Sequence, residues 1–383
     1  MVLNLLIESS FCIFDKKQEA MKNYFSFILL LIGFTICKPQ LVRSQSIENL
    51  QSQIESLQKE ISELSFQFDA IMKKTDDVLW YNKVGDVAHI DKVYMYGPPK
   101  WKESNPTAQG AGNPLNIWSY IFISRKADPS SKYPLIVLPH GGVHGDFSTY
   151  HTHIIREFIA QGYIVAAPEY RGSTGYGKSF QQSIDYGGLE VEDVKACRDY
   201  MIENFDIVDK NRVGIVGWSH GGLIALMNIF DHPDDYQACF AGVPVSDVIA
   251  RMGYKTQDYR DLFSAEYHIG QTAYENVNEY RRRSPAWNAY KMKNTPLLIH
   301  TNTNDADVNV LEVEHLIKAL KAENKKFEYE IFENVPGGHS FDRMDTKSAS
   351  EIRFKIYGFL AKSLKPPTPF KSVKELRKAA YSY

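Results

Sequence analysis

From Tyr133 onward the chain carries short apolar runs, each closed by Gly, Pro, Asn or Asp. They are PLIVLPHGG (134–142), GYIVAAPEYRG (162–172), RVGIVGWSHGG (212–222), CFAGVPVSD (239–247), PLLIHTNTND (296–305) and FEYEIFENVPGGH (327–339). Between most of them lie stretches that read as helix, such as 150–160, 188–204 and 311–323. Strand-like and helix-like segments in alternation predict an α/β fold: a mostly parallel, doubly wound sheet with helices on both faces. Ligands of such sheets bind beyond the carboxyl ends of the strands, where the polar clusters here fall. Ahead of this region, VAHIDKVYMYGPP (87–99) and NIWSYIFISRK (116–126) read as antiparallel strands joined by a Pro/Gly/Asn-rich loop.

Further upstream the period changes. Leu50, Ile54, Leu57, Ile61, Leu64, Phe68 and Ile71 recur at steps of four and three, the seam of a coiled coil. The seam either packs against its own domain or joins copies of the chain as a homo-oligomer. At the start, a second methionine, Met21, precedes Lys22, an apolar run from Tyr24 to Ile36, and small residues at Ser44 and Ser46. That order matches a secretory signal peptide beginning at Met21 and cleaved after about Ser46. The expectation is an exported protein, periplasmic or secreted, with a membrane-anchored form if the segment stays uncleaved.

The whole chain of 383 residues has 44% hydrophobic residues and a formal net charge of -2. No basic run points to nucleic acid. Cys12 and Cys37 fall in the leader, and Cys197 and Cys239 are too far apart to form a disulfide framework. Those two read as buried apolar residues.

The chemistry concentrates at the strand ends. In GWSHGG, Ser219 sits among Gly217, Gly221 and Gly222 at a strand-to-helix junction, which reads as a G-x-S-x-G elbow. A serine hydroxyl is a weak nucleophile until a base removes its proton. The order serine, acid, histidine is completed by Asp305 and by His339 in VPGGHSFD. His339 would take the proton and Asp305 would orient the imidazole; Asp307 is the alternative acid and Asp247 comes one strand too early. The oxyanion donors are the backbone N–H of His220 with that of Gly141 or Gly142, in LPHGG. Trp218, Glu169 and Arg171 are candidates for substrate contact, the last two otherwise bracing loops. His144, His151, His153 and Asp146 resemble a metal cluster only superficially, because residues two apart on a helix do not share a face. No metal or cofactor is expected, and His300, within a strand, reads as structural.

Seven motifs in order, HGG, YRGSTGYGKSF, DYGG…EDV, GWSHGG, SPAWNAY…TPLLIH, D..V and GGHSF, make residues 133–364 resemble the catalytic domain of the prolyl oligopeptidase family of serine peptidases. The resemblance implies an α/β-hydrolase fold and a triad on Ser219, Asp305 and His339. The Asp305-to-Val308 spacing fits the family pattern and favours Asp305 over Asp307. HTNTND carries one extra residue where the family usually has HG before the acid. Classical members also carry a β-propeller, for which the residues between leader and Tyr133 are too few. The domain reading is therefore a leader (1–46), an N-terminal helix (47–78), a catalytic domain (79–365) with a possible cap at 251–283, and a tail (366–383). The expected activity is acyl transfer through an acyl-enzyme on a peptide, with a small-molecule or acyl-sugar ester as the alternative substrate and a non-catalytic binding protein as the rival class.

Overall fold

The structure is a computed structural model and describes residues 44–103 and 105–381. The leader reading, including the apolar run at 24–36, lies outside the described residues. Among the described residues no helix is long and apolar enough to cross a membrane. Among the described residues, those up to Ser62 form one unit and those from Glu63 on form a second, compact one.

Helix α1 (Ser44–Val84) runs beyond the predicted helix to Val84. Its seam faces solvent: Leu50, Ile54, Leu57 and Ile61 are about half exposed, and so are Leu64, Phe68 and Ile71. A different face is buried further along, where Lys73, Trp80 and Val84 are covered. The helix therefore does pack on its own domain, but through the face of Lys73, Trp80 and Val84 rather than through the seam. Its periodicity describes a solvent-facing stripe, whereas the buried face mixes charge with apolar side chains.

The second unit is built on one eight-stranded sheet, ordered β1-β2-β4-β3-β5-β6-β7-β8. Strands β1 (Ala88–Pro99) and β2 (Pro114–Ser124) pair antiparallel, as their sequence predicts, and β2 pairs antiparallel with β4 (Ile164–Glu169). The rest is parallel: β3 (Tyr133–Val137), β5 (Val208–Trp218), β6 (Ala238–Gly242), β7 (Leu297–Asn302) and β8 (Glu328–Phe332). Parallel strands covered on both faces read as continuous apolar runs, and alternate residues feed opposite layers. Leu135, Val137, Ile164, Ala166, Cys239 and Ile299 pack under helices α3 (Leu189–Asn204), α4 (His220–Asp231) and α8 (Val310–Ala322). Ile136, Val165, Phe240 and Leu298 pack against α2 (Thr152–Gln161) and α9 (Lys347–Leu364). Cys197 and Cys239 are buried free thiols, and burial pushes the Cys197 thiol up to about 12.

The 251–283 segment consists of short helices, α5 (Val248–Tyr254), α6 (Gln257–Ser264) and α7 (Val277–Arg282). On one side Arg251 donates to Glu312 Oε1 and to the Asp307 carbonyl, both at 3.1 Å. On the other, the Tyr267 and His268 rings lie 6.3 Å from the ring of His144. The segment thus bridges the loop after β7 and the glycine loop after β3.

Candidate active site

Ser219 follows β5 directly and precedes α4, with φ 60° and ψ −123°. A non-glycine residue at positive φ is strained, and strain of this kind persists only where the surroundings enforce it. Here they do: Ser219 N–H donates to the Gly242 carbonyl at 2.9 Å, and the Ser219 carbonyl accepts from Gly222 and Val245. The flanking glycines follow from close approach. A methyl group on Gly217 would overlap the Gly221 carbonyl, and one on Gly222 would come within 2.9 Å of Pro244.

Asp305 lies just beyond β7, its carboxylate shielded from solvent. Oδ1 accepts from the backbone N–H groups of Asp307 (2.8 Å) and Val308 (2.9 Å). Oδ2 accepts from His339 Nδ1 at 2.7 Å. His339 sits on a single 3-10 turn, Gly338–Ser340, entered through Gly337 at φ +107°, and its carbonyl accepts from Arg343. With Nδ1 tied to the carboxylate, Nε2 is the nitrogen left to exchange protons. Asp307 Oδ2 lies 3.7 Å from Nε2, and its other oxygen pairs with Lys255 at 2.7 Å. Among the described residues no hydrogen bond joins the Ser219 hydroxyl to His339. Such bonds are often long before substrate binds.

The loop after β3 approaches the serine from the other side. A Cβ built on Gly141 would stand 3.2 Å from the Trp218 carbonyl and 3.3 Å from Ser219 Cβ, a tight fit that places this backbone right beside the nucleophile. Gly142 has φ +87°. His220 opens α4, so its N–H has no partner within the helix. Its side chain is turned away, stacked on Tyr186 at 4.1 Å and 3.2 Å from Glu190; burial is the main cause holding its pKa below the usual imidazole range.

Three candidates lie elsewhere than the sequence suggested. Arg171 is fully buried, forked onto Asp193 at 2.7 Å through both Nε and Nη2, and donates to the Pro98 and Pro99 carbonyls. Glu169 is fully buried against Lys73 and accepts from Phe147 N–H. Burial would raise its carboxyl, but the Lys73 ammonium and the His140 imidazole hold it at about 2. Trp218 is buried with its indole donating to Asp342 at 2.8 Å. All three brace the strand ends and are withdrawn from a substrate's reach. His144 of the glycine loop and His151 and His153 just after it have separate partners. His144 donates to the Gly172 carbonyl, His153 donates to that of Arg343, and His151 stacks on Phe147, with burial pushing its pKa down to about 3. Asp146 pairs with Lys73, and Asp247 caps α5 while accepting from His315.

Lys73 was not singled out in the sequence. A lysine on a helix ordinarily lies in water, and the only signal was its place between Asp69 and Asp76 next to the end of the seam.

An elbow serine after β5 and, beyond β7 and β8 of the same parallel sheet, a carboxylate-oriented histidine define an α/β hydrolase. Residues 149–367 match the model of the prolyl oligopeptidase family, and the chain belongs to that family. It is 29% identical over 297 residues to an acylamino-acid-releasing enzyme of Arabidopsis thaliana, covering 73% of this chain and 38% of that one. Among solved structures, Pyrococcus horikoshii acylaminoacyl peptidase aligns with a TM-score of 0.60 at 20% identity, covering 76% of this chain and 44% of that one. Porphyromonas gingivalis dipeptidyl peptidase 4 aligns with a TM-score of 0.57 at 21% identity, covering 73% and 36%. The chain thus spans less than half the length of these relatives.

Proposed function

We propose that this protein is an exported serine peptidase working through an acyl-enzyme. Ser219 attacks the scissile carbonyl, His339 Nε2 accepts its proton and returns it to the leaving amine, and Asp305 fixes the imidazole and stabilises its cation. The N–H of His220, with that of Gly141 or Gly142, receives the oxyanion. The 2.7 Å bond between Asp305 and His339 carries this reading, because it leaves one specified nitrogen free for the serine. Family membership supports a peptide as substrate, and the leader's composition supports export.

The test pairs aminoacyl, acylaminoacyl and dipeptidyl amides with matching short-chain esters, using Ser219→Ala as the blank. Amide turnover within about tenfold of ester turnover supports the peptidase, since amides demand leaving-group protonation that esters largely do not. Ester turnover without amide cleavage replaces it with an esterase. Ser219→Ala retaining a tenth of the activity rejects the mechanism.

The solvent-facing seam supports self-association with a second copy. Ile54 and Ile61 alternate with Leu57 and Leu64 in the a and d arrangement that favours two parallel strands. Light scattering on Leu57→Glu/Ile61→Glu should show half the wild-type mass; equal masses reject this.

A further inference from the structure

We propose that Lys73 of α1 is a positioning residue for the oxyanion loop, which makes the end of the N-terminal helix a working part of the active site. The inference rests on the hydrolase reading of Ser219.

The loop from His140 to Thr149 contains Gly141, Gly142 and Gly145, and no strand or helix of more than one turn spans it. Glycine has the most backbone freedom to lose, so such a loop does not hold its own N–H directions. Oxyanion stabilisation depends on donors that are already aimed. Groups outside the loop must therefore fix it: the 170–174 turn, through the Tyr170 hydroxyl on the His140 carbonyl (2.8 Å) and Thr174 N–H on the Gly145 carbonyl (2.9 Å), and α1, which supplies the clamp on its far end.

The Lys73 side chain is 3% exposed. Its ammonium donates to the Phe147 carbonyl at 2.7 Å and to Asp146 Oδ2 at 3.1 Å, and it is in contact with Glu169. Glu169 in turn accepts from Phe147 N–H at 3.2 Å and lies 3.4 Å from His140 Nε2. The pair thus grips His140 before the two glycines and Asp146 and Phe147 after them. Asp76 accepts from Thr149 N–H (3.0 Å) and from its hydroxyl (2.6 Å). Trp80 stacks on Phe147, with ring centroids 5.4 Å apart and planes 8° apart. Residues 73, 76 and 80 share one helix face.

A purely structural pair would be an inefficient device, because buried ion pairs seldom outperform apolar residues of the same shape. This one differs in addressing the loop's backbone.

Lys73→Met alone strands the Glu169 carboxylate, so the test uses Lys73→Met/Glu169→Gln, with Lys73→Arg as the conservative variant. Each is assayed on p-nitrophenyl acetate and for affinity toward phenylboronic acid, whose tetrahedral serine adduct needs the oxyanion donors. In double variant with a wild-type circular dichroism spectrum, kcat should fall about 10- to 100-fold, with KM within about twofold. Boronate affinity should fall in parallel, and Lys73→Arg should recover part of both. A folded double variant with kcat and boronate affinity within about threefold of wild type overturns the proposal. If the double variant does not fold, Asp76→Asn carries the same test in the same direction, with unchanged boronate affinity overturning it. Wild type no faster than Ser219→Ala would instead remove the hydrolase reading, and this inference with it.

Discussion

Replacing Asp305 by asparagine leaves size and shape almost untouched and should still disable the site. The carboxylate has two committed sides. Oδ1 faces the N–H donors of Asp307 and Val308, and Oδ2 faces His339 Nδ1. An asparagine must present its oxygen to one side and its NH2 to the other. Turned toward two N–H groups, the NH2 would leave two shielded donors without an acceptor, at about 1–3 kcal/mol each. The amide therefore gives its oxygen to the backbone and its NH2 to His339. Nδ1 must then accept, which moves the imidazole proton to Nε2. That nitrogen can no longer take the serine proton. A wrong tautomer of this kind costs about 10⁴ in kcat, or about 5 kcal/mol of transition-state stabilisation. Steady-state kinetics on the best ester from the panel measure it, with thermal denaturation as the control for folding. Asp307→Asn, which weakens half-exposed pairings with Lys255 and Arg251 and a 3.7 Å contact with His339 Nε2, should stay within about fivefold. Asp305→Asn keeping more than a tenth of wild-type kcat would refute the reasoning. So would Asp307→Asn falling as far, which would identify Asp307 as the acid.

Gly217→Ala should prevent accumulation of folded protein, because its methyl meets backbone that cannot yield, whereas Gly253→Ala meets nothing within 4 Å. Gly253→Ala should stabilise helix α5 by up to about 1 kcal/mol, and expression yield with urea titration distinguishes the two. His300, wedged between Phe240 and Phe332, is held neutral by burial, with its pKa pushed down to about 3 from 6.5. Between those values the unfolded chain binds a proton that the folded one refuses, so stability rises with pH by about 1.4 kcal/mol per unit from this residue. Across that range His300→Phe should flatten the urea-derived stability profile by one proton; an unchanged slope refutes the assignment. Glu169→Gln with Lys73 intact should cost more stability than the paired variant, since it leaves a buried ammonium short of its counter-charge. Equal unfolding midpoints would contradict that.

The sheet, its two layers and the two antiparallel strands were legible because each depends on local periodicity. Ser219 and His339 stood out for a related reason, glycine beside a reactive side chain at a strand end, and Asp305 by its place just after β7. Glu169 and Arg171 misled because charge at a strand end looks the same whether it faces a ligand or a partner. Their partners, Lys73 and Asp193, lie 96 and 22 residues away and carry no local mark. Trp218 shares this ambiguity, since its indole is claimed by Asp342, 124 residues on. The seam on α1 was read correctly as a stripe, but periodicity does not say which stripe a domain covers.

The clamp on the glycine loop also has a bearing on the order of folding. Lys73 leaves the ribosome well before the loop it grips, and its counter-charge on β4 comes later still. Until then the ammonium remains hydrated, and α1 can close only upon β1 and β2, as with Trp80 on Phe122. Closure of the clamp should follow the pairing of β3 and β4, as a long-range contact of the slow kind. Amide exchange should follow the same sequence in reverse. The glycine loop and residues 73–84 should exchange together as one cooperative unit, ahead of the central strands.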